Sequence, residues 1–250
     1  MKNLKYLFPN LLTIFNLISG CVAIIIVFRG QNEYYAAWLI FIAALFDFFD
    51  GLVARALDAK SSFGVQLDSL ADIVSFGVAP SIILFNWLTL ILTDLSKQST
   101  FEIISANFLQ SLILFSSLLF AAGGAVRLAR FNISDKDDKS FRGLPIPAAA
   151  LIIASLWLIL GTTESTFIHN LLLNLYLVLA LILGLIILMV SNLKMLSLKF
   201  SGTGFVENFY QYLVIIVGFV LFVLFGVHGL FFSLLAYILI SVIKLLIGTS

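Results

Sequence analysis

Leu177-Val-Leu-Ala-Leu-Ile-Leu-Gly-Leu-Ile-Ile-Leu-Met-Val190 runs for 14 residues without a charged, amide or hydroxyl side chain. A membrane strand or a half-buried strand would alternate apolar with polar, and this run does not. In hydrocarbon every backbone N–H and C=O must be satisfied internally, which leaves only helices and closed barrels. The run therefore reads as a membrane helix. Working outward, eight apolar stretches of this kind appear near 11–28, 35–54, 67–93, 105–126, 145–163, 171–191, 208–226 and 228–247. Each approaches the ~20 residues that a helix needs to cross the hydrocarbon. The last two are separated only by Gly226, His228 and Gly229, which predicts a tight helical hairpin.

Composition agrees. Of 250 residues, 62% are hydrophobic and 11% charged, whereas soluble domains carry roughly a quarter charged residues. The formal net charge of +1 gives no basic field for nucleic acid, so no nucleic-acid partner is expected. Cys21 is the only cysteine, which excludes an internal disulfide framework or a thiolate cluster. Lys2 and Lys5 ahead of an apolar run, with Ile18-Ser-Gly-Cys21, resemble a cleavable leader. Pro9, Asn10, Asn16 and Ser19 interrupt that run, so the segment is read as a retained span.

Charge placement predicts orientation. With the N-terminus inside, 12 of the 14 Lys and Arg fall on the inner side: Lys2, Lys5, Arg55, Lys60, Arg127, Arg130, Lys136, Lys139, Arg142, Lys194, Lys199 and Lys244. Arg29 and Lys97 fall outside. By the positive-inside rule both termini are expected to be cytoplasmic, in the cell (inner) membrane.

The chemistry is concentrated in Asp47-Phe-Phe-Asp50-Gly51-Leu-Val-Ala54-Arg55, followed by Gly64, Asp68 and Asp72. Asp47 and Asp50 are i, i+3 near the inner end of one span, with Gly51 and Ala54 on the same face. Asp68 and Asp72 are i, i+4 at the start of the next. A short connection predicts antiparallel neighbours with both acidic pairs turned into one cavity. Each carboxylate at membrane depth costs roughly 2.5–3.5 kcal/mol even on the lenient insertion scale. Divalent cations offset that cost, and an all-oxygen donor set suits Mg²⁺ or Mn²⁺. A dinuclear phosphate-transfer site and a proton or cation path in a transporter both fit these acids. The loop acids Asp135, Asp137 and Asp138 read as solvated, and His169 and His228 as lying toward the outer face.

Asp47, Asp50, Gly51, Ala54, Arg55, Gly64, Asp68 and Asp72 match, position for position, the signature of the CDP-alcohol phosphatidyltransferase family, which the chain resembles from its first span through its sixth. The resemblance implies an all-α polytopic fold, a six-helix core over residues 1–191. Residues 192–250 then add a cytoplasmic loop and a hairpin of two C-terminal transmembrane helices. It implies two divalent ions, one on Asp47, Asp50 and Asp68, the other on Asp47, Asp68 and Asp72, with Asp72 also the base. Gly51, Arg55 and Ser61 would contact the CDP part of CDP-diacylglycerol, and Ala54 and Gly64 would leave it room. Asn10, in Pro9-Asn10-Leu-Leu-Thr13, would reach the nucleotide. Asn16 stands where many relatives carry arginine. A homodimer among membrane lipids is implied as well.

Three blocks bear on the acceptor: Gly123-Gly-Ala-Val-Arg127-Leu-Ala-Arg130-Phe-Asn132, Phe141-Arg-Gly-Leu-Pro145-Ile-Pro147-Ala-Ala-Ala150 and Leu188-Met-Val-Ser191-Asn-Leu-Lys194. They resemble those of the bacterial and archaeal phosphatidylserine synthases, a subgroup of this family. That likeness implies L-serine as the acceptor, with Arg127 and Arg130 as the cations for its carboxylate. Arginines at that depth would equally suit glycerol phosphate or inositol phosphate.

Overall fold

A computed structural model describes residues 4–30, 34–59, 61–133, 143–193, 195–196 and 208–247. Lys2, Lys60, Lys136, Lys139, Arg142, Lys194, Lys199, Phe141 and the loop acids Asp135, Asp137 and Asp138 lie outside these residues. The elements are α1 (Leu4–Arg29), α2 (Tyr34–Ala56), α3 (Ser62–Asp72), a π-helical turn (Ile73–Val78) and α4 (Ala79–Ser96). They continue with α5 (Thr100–Ala106), α6 (Phe108–Phe115), α7 (Leu118–Ile133), α8 (Ile146–Thr162), α9 (Thr166–Leu172), α10 (Leu175–Val190), α11 (Phe209–Phe225) and α12 (Val227–Ile247). No strand occurs among the described residues.

Four helical stretches are long and apolar enough to cross a membrane: Lys5–Arg29, Tyr34–Ala56, Ser62–Ser96 and Phe108–Ile133. A fifth is formed if α9 and α10, bent by 59°, make one broken span. The break falls at the N-terminal edge of the 171–191 stretch, most of which is α10. α9 ends at Leu172, and Asn174 caps α10, its Oδ1 accepting from the Leu177 amide at 3.2 Å. Three shorter apolar helices complete the set: α8, α11 and His228–Lys244 of α12. The chain is an all-α polytopic membrane protein.

α8 is short but central. Both faces are covered, and Ile153, Trp157 and Ile146 are fully buried. The Trp157 ring packs 5.8 Å from Trp87 of α4 and 5.5 Å from Tyr34 of α2. The Trp87 indole N–H, which needs a partner when buried, donates to the Leu172 carbonyl at 2.9 Å. Phe8, Phe48, Phe101, Phe108 and Leu95 are exposed outward, as lipid requires and water would penalise. The predicted hairpin is present: α11 and α12 meet at Gly226, whose φ is +56°. At Gly229 a Cβ would lie 2.1 Å from the Leu221 carbonyl oxygen, so only glycine permits that approach.

α2 and α3 were expected to be antiparallel neighbours around one cavity. α1 joins them, packing extensively along α2 and also against α3 and the π-helical turn. Small residues make this possible: a Cβ on Gly20 would come within 2.6 Å of both Cα and Oγ of Ser75. The first helix is thereby a third wall beside the two acidic ones.

Candidate active site

The site lies where α1, α2 and α3 converge. Carboxylate oxygens of Asp47, Asp50 and Asp68 all lie within 4.8 Å of one another. Among the described residues this is the one group of three acidic, histidine or cysteine side chains so placed. Two helical spacings, i, i+3 on α2 and the start of the i, i+4 pair on α3, have been brought to one depth. Asp72 stands outside that trio, only 7% exposed, yet close enough to feel the charges of Asp47, Asp68 and Asp50. The second expected ligand set, Asp47 with Asp68 and Asp72, is not drawn together to the same spacing.

α1 supplies a hydrogen bond to each acidic helix. Thr13 Oγ1 lies 2.6 Å from Asp50 Oδ2 as donor, and 3.1 Å from the Pro9 carbonyl as the alternative. Asn16 Nδ2 donates to Asp72 Oδ1 at 3.2 Å. Thr13 and Asn16 are i, i+3, so one face of α1 serves both. The Asn16 carbonyl accepts from Ser75 Oγ at 2.9 Å, which ties α1 to the π-helical turn directly after Asp72. Such turns recur at functional sites because they re-aim neighbouring side chains.

The donor chemistry fits a hard cation. Asp68 Oδ1 is buried without a hydrogen-bond partner. A carboxylate so placed carries a large desolvation cost until something positive meets it. Three carboxylates within bonding reach of a common point, with no thiolate or imidazole in the group, match an oxygen-seeking divalent ion.

The other sequence candidates fall into place around this trio. Ser61 is the N-cap of α3, its Oγ accepting from the Gly64 amide at 3.0 Å. A Cβ at Gly64 would meet Ser61 Oγ at 3.1 Å and Asn10 Oδ1 at 3.3 Å, so Asn10, Ser61 and Gly64 form one cluster. At Gly51 a Cβ would meet Arg55 Nη1 at 3.4 Å, so the guanidinium folds back over the glycine one turn earlier. The connection from α2 to α3 is held by the Ala59 amide donating to the Ala54 carbonyl at 2.8 Å and by Lys5 Nζ donating to the Asp58 carbonyl at 2.9 Å.

α7 brings the arginines. It packs against the π-helical turn and is tied to α3 by Asn132 Nδ2 donating to Ser69 Oγ at 3.0 Å. Arg127 and Arg130, expected together as cations for the acceptor, stand in different surroundings. Arg127 is 8% exposed, within electrostatic reach of Asp72, and its Nε has no hydrogen-bond partner. Arg130 is exposed, and its Nη1 donates to the Val190 carbonyl at the end of α10 at 2.9 Å. Three residues of helix turn the side chains about 60° apart, enough here to put one inside the bundle and one on its rim. Thr13 and Asn16 were not singled out as partners of the acids by sequence reasoning; polar residues at i, i+3 within an apolar span were the available signal.

Comparison with known proteins adds an independent line. A family model described as CDP-alcohol phosphatidyltransferase matches residues 6–190. The chain is 40% identical over 154 residues to a CDP-diacylglycerol–serine O-phosphatidyltransferase of Helicobacter pylori strain J99, covering 60% of this chain and 57% of that protein. A protein of the same name from a second Helicobacter pylori strain is 36% identical over 181 residues, covering 68% of each. One from Methanocaldococcus jannaschii is 40% identical over 141 residues, covering 56% of this chain and 55% of that protein. The matched segments thus span between a little over half and two thirds of those relatives. With the signature acids gathered at one point and the family model matched from α1 to the end of α10, the chain belongs to the CDP-alcohol phosphatidyltransferase family.

Proposed function

We propose that this protein transfers the phosphatidyl group of CDP-diacylglycerol to the hydroxyl of L-serine, giving phosphatidylserine and CMP. The observation that carries the reading is the convergence of Asp47, Asp50 and Asp68, with Asp72 and the buried Arg127 within electrostatic reach of one another beside them. The names of the similar proteins support serine as the acceptor.

The family is divalent-metal dependent, and the acidic trio is suited to such an ion. Asp47, Asp50, Asp68 and Asp72 would hold two, Mg²⁺ or Mn²⁺, which when bound neutralise charge on the nonbridging phosphate oxygens. The protein's own residues do the rest. Asn10 of α1 and Ser61 and Gly64 at the start of α3, with Gly51, Ala54 and Arg55 on α2, receive the CDP portion, the Arg55 fork pairing its diphosphate. Arg127 pairs with the serine carboxylate, and the ammonium is left to the acids. Asp72, oriented by Asn16, accepts the proton of the serine hydroxyl. The serine oxygen bonds to the phosphorus that bears diacylglycerol, the bond from that phosphorus to CMP breaks, and CMP departs with the electron pair. Arg130 acts from the rim by holding the end of α10.

The same end of the bundle carries Lys5, Arg55, Arg127 and Arg130, and we place it at the cytoplasmic face of the cell membrane, with both termini on that side. Residues 1–191 form the catalytic core and 192–250 an appended loop and hairpin. A homodimer follows the family pattern. The reading is tested by CMP release from purified protein with serine and glycerol 3-phosphate in competition. Serine should dominate, and EDTA should abolish release until Mg²⁺ or Mn²⁺ is restored. Faster use of glycerol 3-phosphate at equal concentration would refute the acceptor, and full activity after exhaustive chelation would refute the metal site.

A further inference from the structure

α7 runs beside the stretch that carries Asp68 and Asp72, and three contacts fix how the two are aligned. Asn132 Nδ2 donates to Ser69 Oγ at 3.0 Å. A Cβ on Gly124 would stand 3.9 Å from Ile73 Cδ1, and one on Gly77 would stand 3.7 Å from Ala121 Cα. Residue numbers rise along α3 and the π-helical turn as they fall along α7, so the pair is antiparallel. At equal rise per residue, counting from the Gly124 contact brings Arg127 level with Leu70, and counting from the Asn132 contact brings it level with Val74. Asp72 is midway. The alignment therefore sets the buried Arg127 at the height of the carboxylate assigned as the base.

The three contacts differ in kind. Gly77, Ala121 and Gly124 permit close approach, which is packing without direction, whereas Asn132 and Ser69 form a directional bond. Ser69 directly follows Asp68. Its single hydroxyl proton goes to the Val65 carbonyl at 3.1 Å, which leaves the oxygen free to accept from Asn132. On the other face of the same turn of α7, Arg130 donates to the Val190 carbonyl at 2.9 Å. Two residues are about 200° of helix, so the last turn of α7 is held from opposite sides. Only the Asn132 bond reaches the acidic helix.

We propose that Asn132 is a positioning residue for the acceptor: bonded to Ser69, it latches α7 to α3 and fixes the span between Asp72 and Arg127. Asp72 takes the proton of the acceptor hydroxyl and Arg127 receives its carboxylate, so that span must match the length of the acceptor. The CDP portion rests on α1, α2 and the start of α3, away from the latch. This rests on the serine reading and on the assignment of Arg127, both made above.

The test uses the purified full chain in detergent with CDP-diacylglycerol and saturating Mn²⁺, comparing wild type with Asn132→Ala, Ser69→Ala, the double variant and Ser69→Thr. Asn132 is exposed, so its truncation leaves no buried cavity, and melting temperatures should stay near wild type. Each alanine variant should raise the serine KM about three- to fivefold, with the CDP-diacylglycerol KM changed less than about twofold. The double variant should be no worse than either single one, because both remove the same bond. Ser69→Thr keeps the hydroxyl and should keep the wild-type serine KM. An unchanged serine KM in both alanine variants, or a double variant whose loss is the product of the single losses, would overturn the latch while leaving serine transfer intact. So would a Ser69→Thr variant as impaired as Ser69→Ala, or rises shared by both substrates with a fall in melting temperature. Wild-type CMP release that ignores serine would overturn the serine reading and the latch together.

Discussion

Asn16 and Asp72, 56 residues apart, meet inside the bundle with Asn16 Nδ2 donating to Asp72 Oδ1 at 3.2 Å. Asn16 is fully buried, and its backbone carbonyl is held by Ser75. The carboxylate assigned as the base is therefore oriented by α1, which carries none of the four acids.

Asn16→Leu keeps the volume and removes that donor. A hydrogen bond to a charged group contributes about 1.5–3 kcal/mol, so kcat should fall roughly 10- to 100-fold. The CDP-diacylglycerol KM should change little, because Asp72 lies away from the Asn10, Ser61 and Gly64 cluster. Steady-state kinetics in both substrates checks this, and a loss confined to the lipid KM would contradict it.

Thr13→Val is the corresponding change on the α2 side. It preserves shape and deletes the hydroxyl beside Asp50 Oδ2. Freed of its hydrogen bond, Asp50 should be less well held for an ion, raising the Mn²⁺ concentration for half-maximal activity about fivefold. Near-normal turnover should return at saturating Mn²⁺. A metal titration reads the shift directly.

Arg127→Ala should lower serine kcat/KM tenfold or more, since an anion in a partly dry site loses about 1.5–3 kcal/mol of pairing. Arg130→Ala should cost less than about threefold, because that side chain is exposed and bonded to the Val190 carbonyl. Equal effects from the two would show that burial does not separate their roles.

Gly20→Ala tests the packing that carries the site. Its new Cβ would lie 2.6 Å from Ser75, forcing α1 off the π-helical turn at an overpacking cost of about 1–3 kcal/mol. Gly184→Ala is the control, for nothing lies within 4 Å of that position. The first variant should melt earlier in detergent and lose activity, and the second should match wild type.

Much of this architecture was legible in the sequence. Uninterrupted runs such as 177–190 decide the helical membrane class, because lipid forbids alternatives. The four acids are legible by spacing, since i, i+3 and i, i+4 place each pair on one face whatever surrounds it. Partners across the fold are not legible in that way. The bonds from Thr13 to Asp50 and Asn16 to Asp72 depend on α1 packing against both α2 and α3, and no local pattern encodes which helix does so. Arg127 and Arg130 look equivalent in sequence and differ only once the neighbouring helices bury one of them. The break at Asn174 was hidden for a related reason: a single capping amide in an apolar stretch reads as a tolerated polar residue until the helix direction changes around it.

The measurement that bears most directly on the central claim follows the serine oxygen itself. L-Serine labelled with ¹⁸O in its hydroxyl is supplied with CDP-diacylglycerol, Mn²⁺ and purified protein, and both products are weighed by mass spectrometry. Attack by the hydroxyl on the phosphorus predicts phosphatidylserine carrying the full label, formed in step with unlabelled CMP. Phosphatidylserine lacking the label, or CMP released without any phosphatidylserine, would contradict the account.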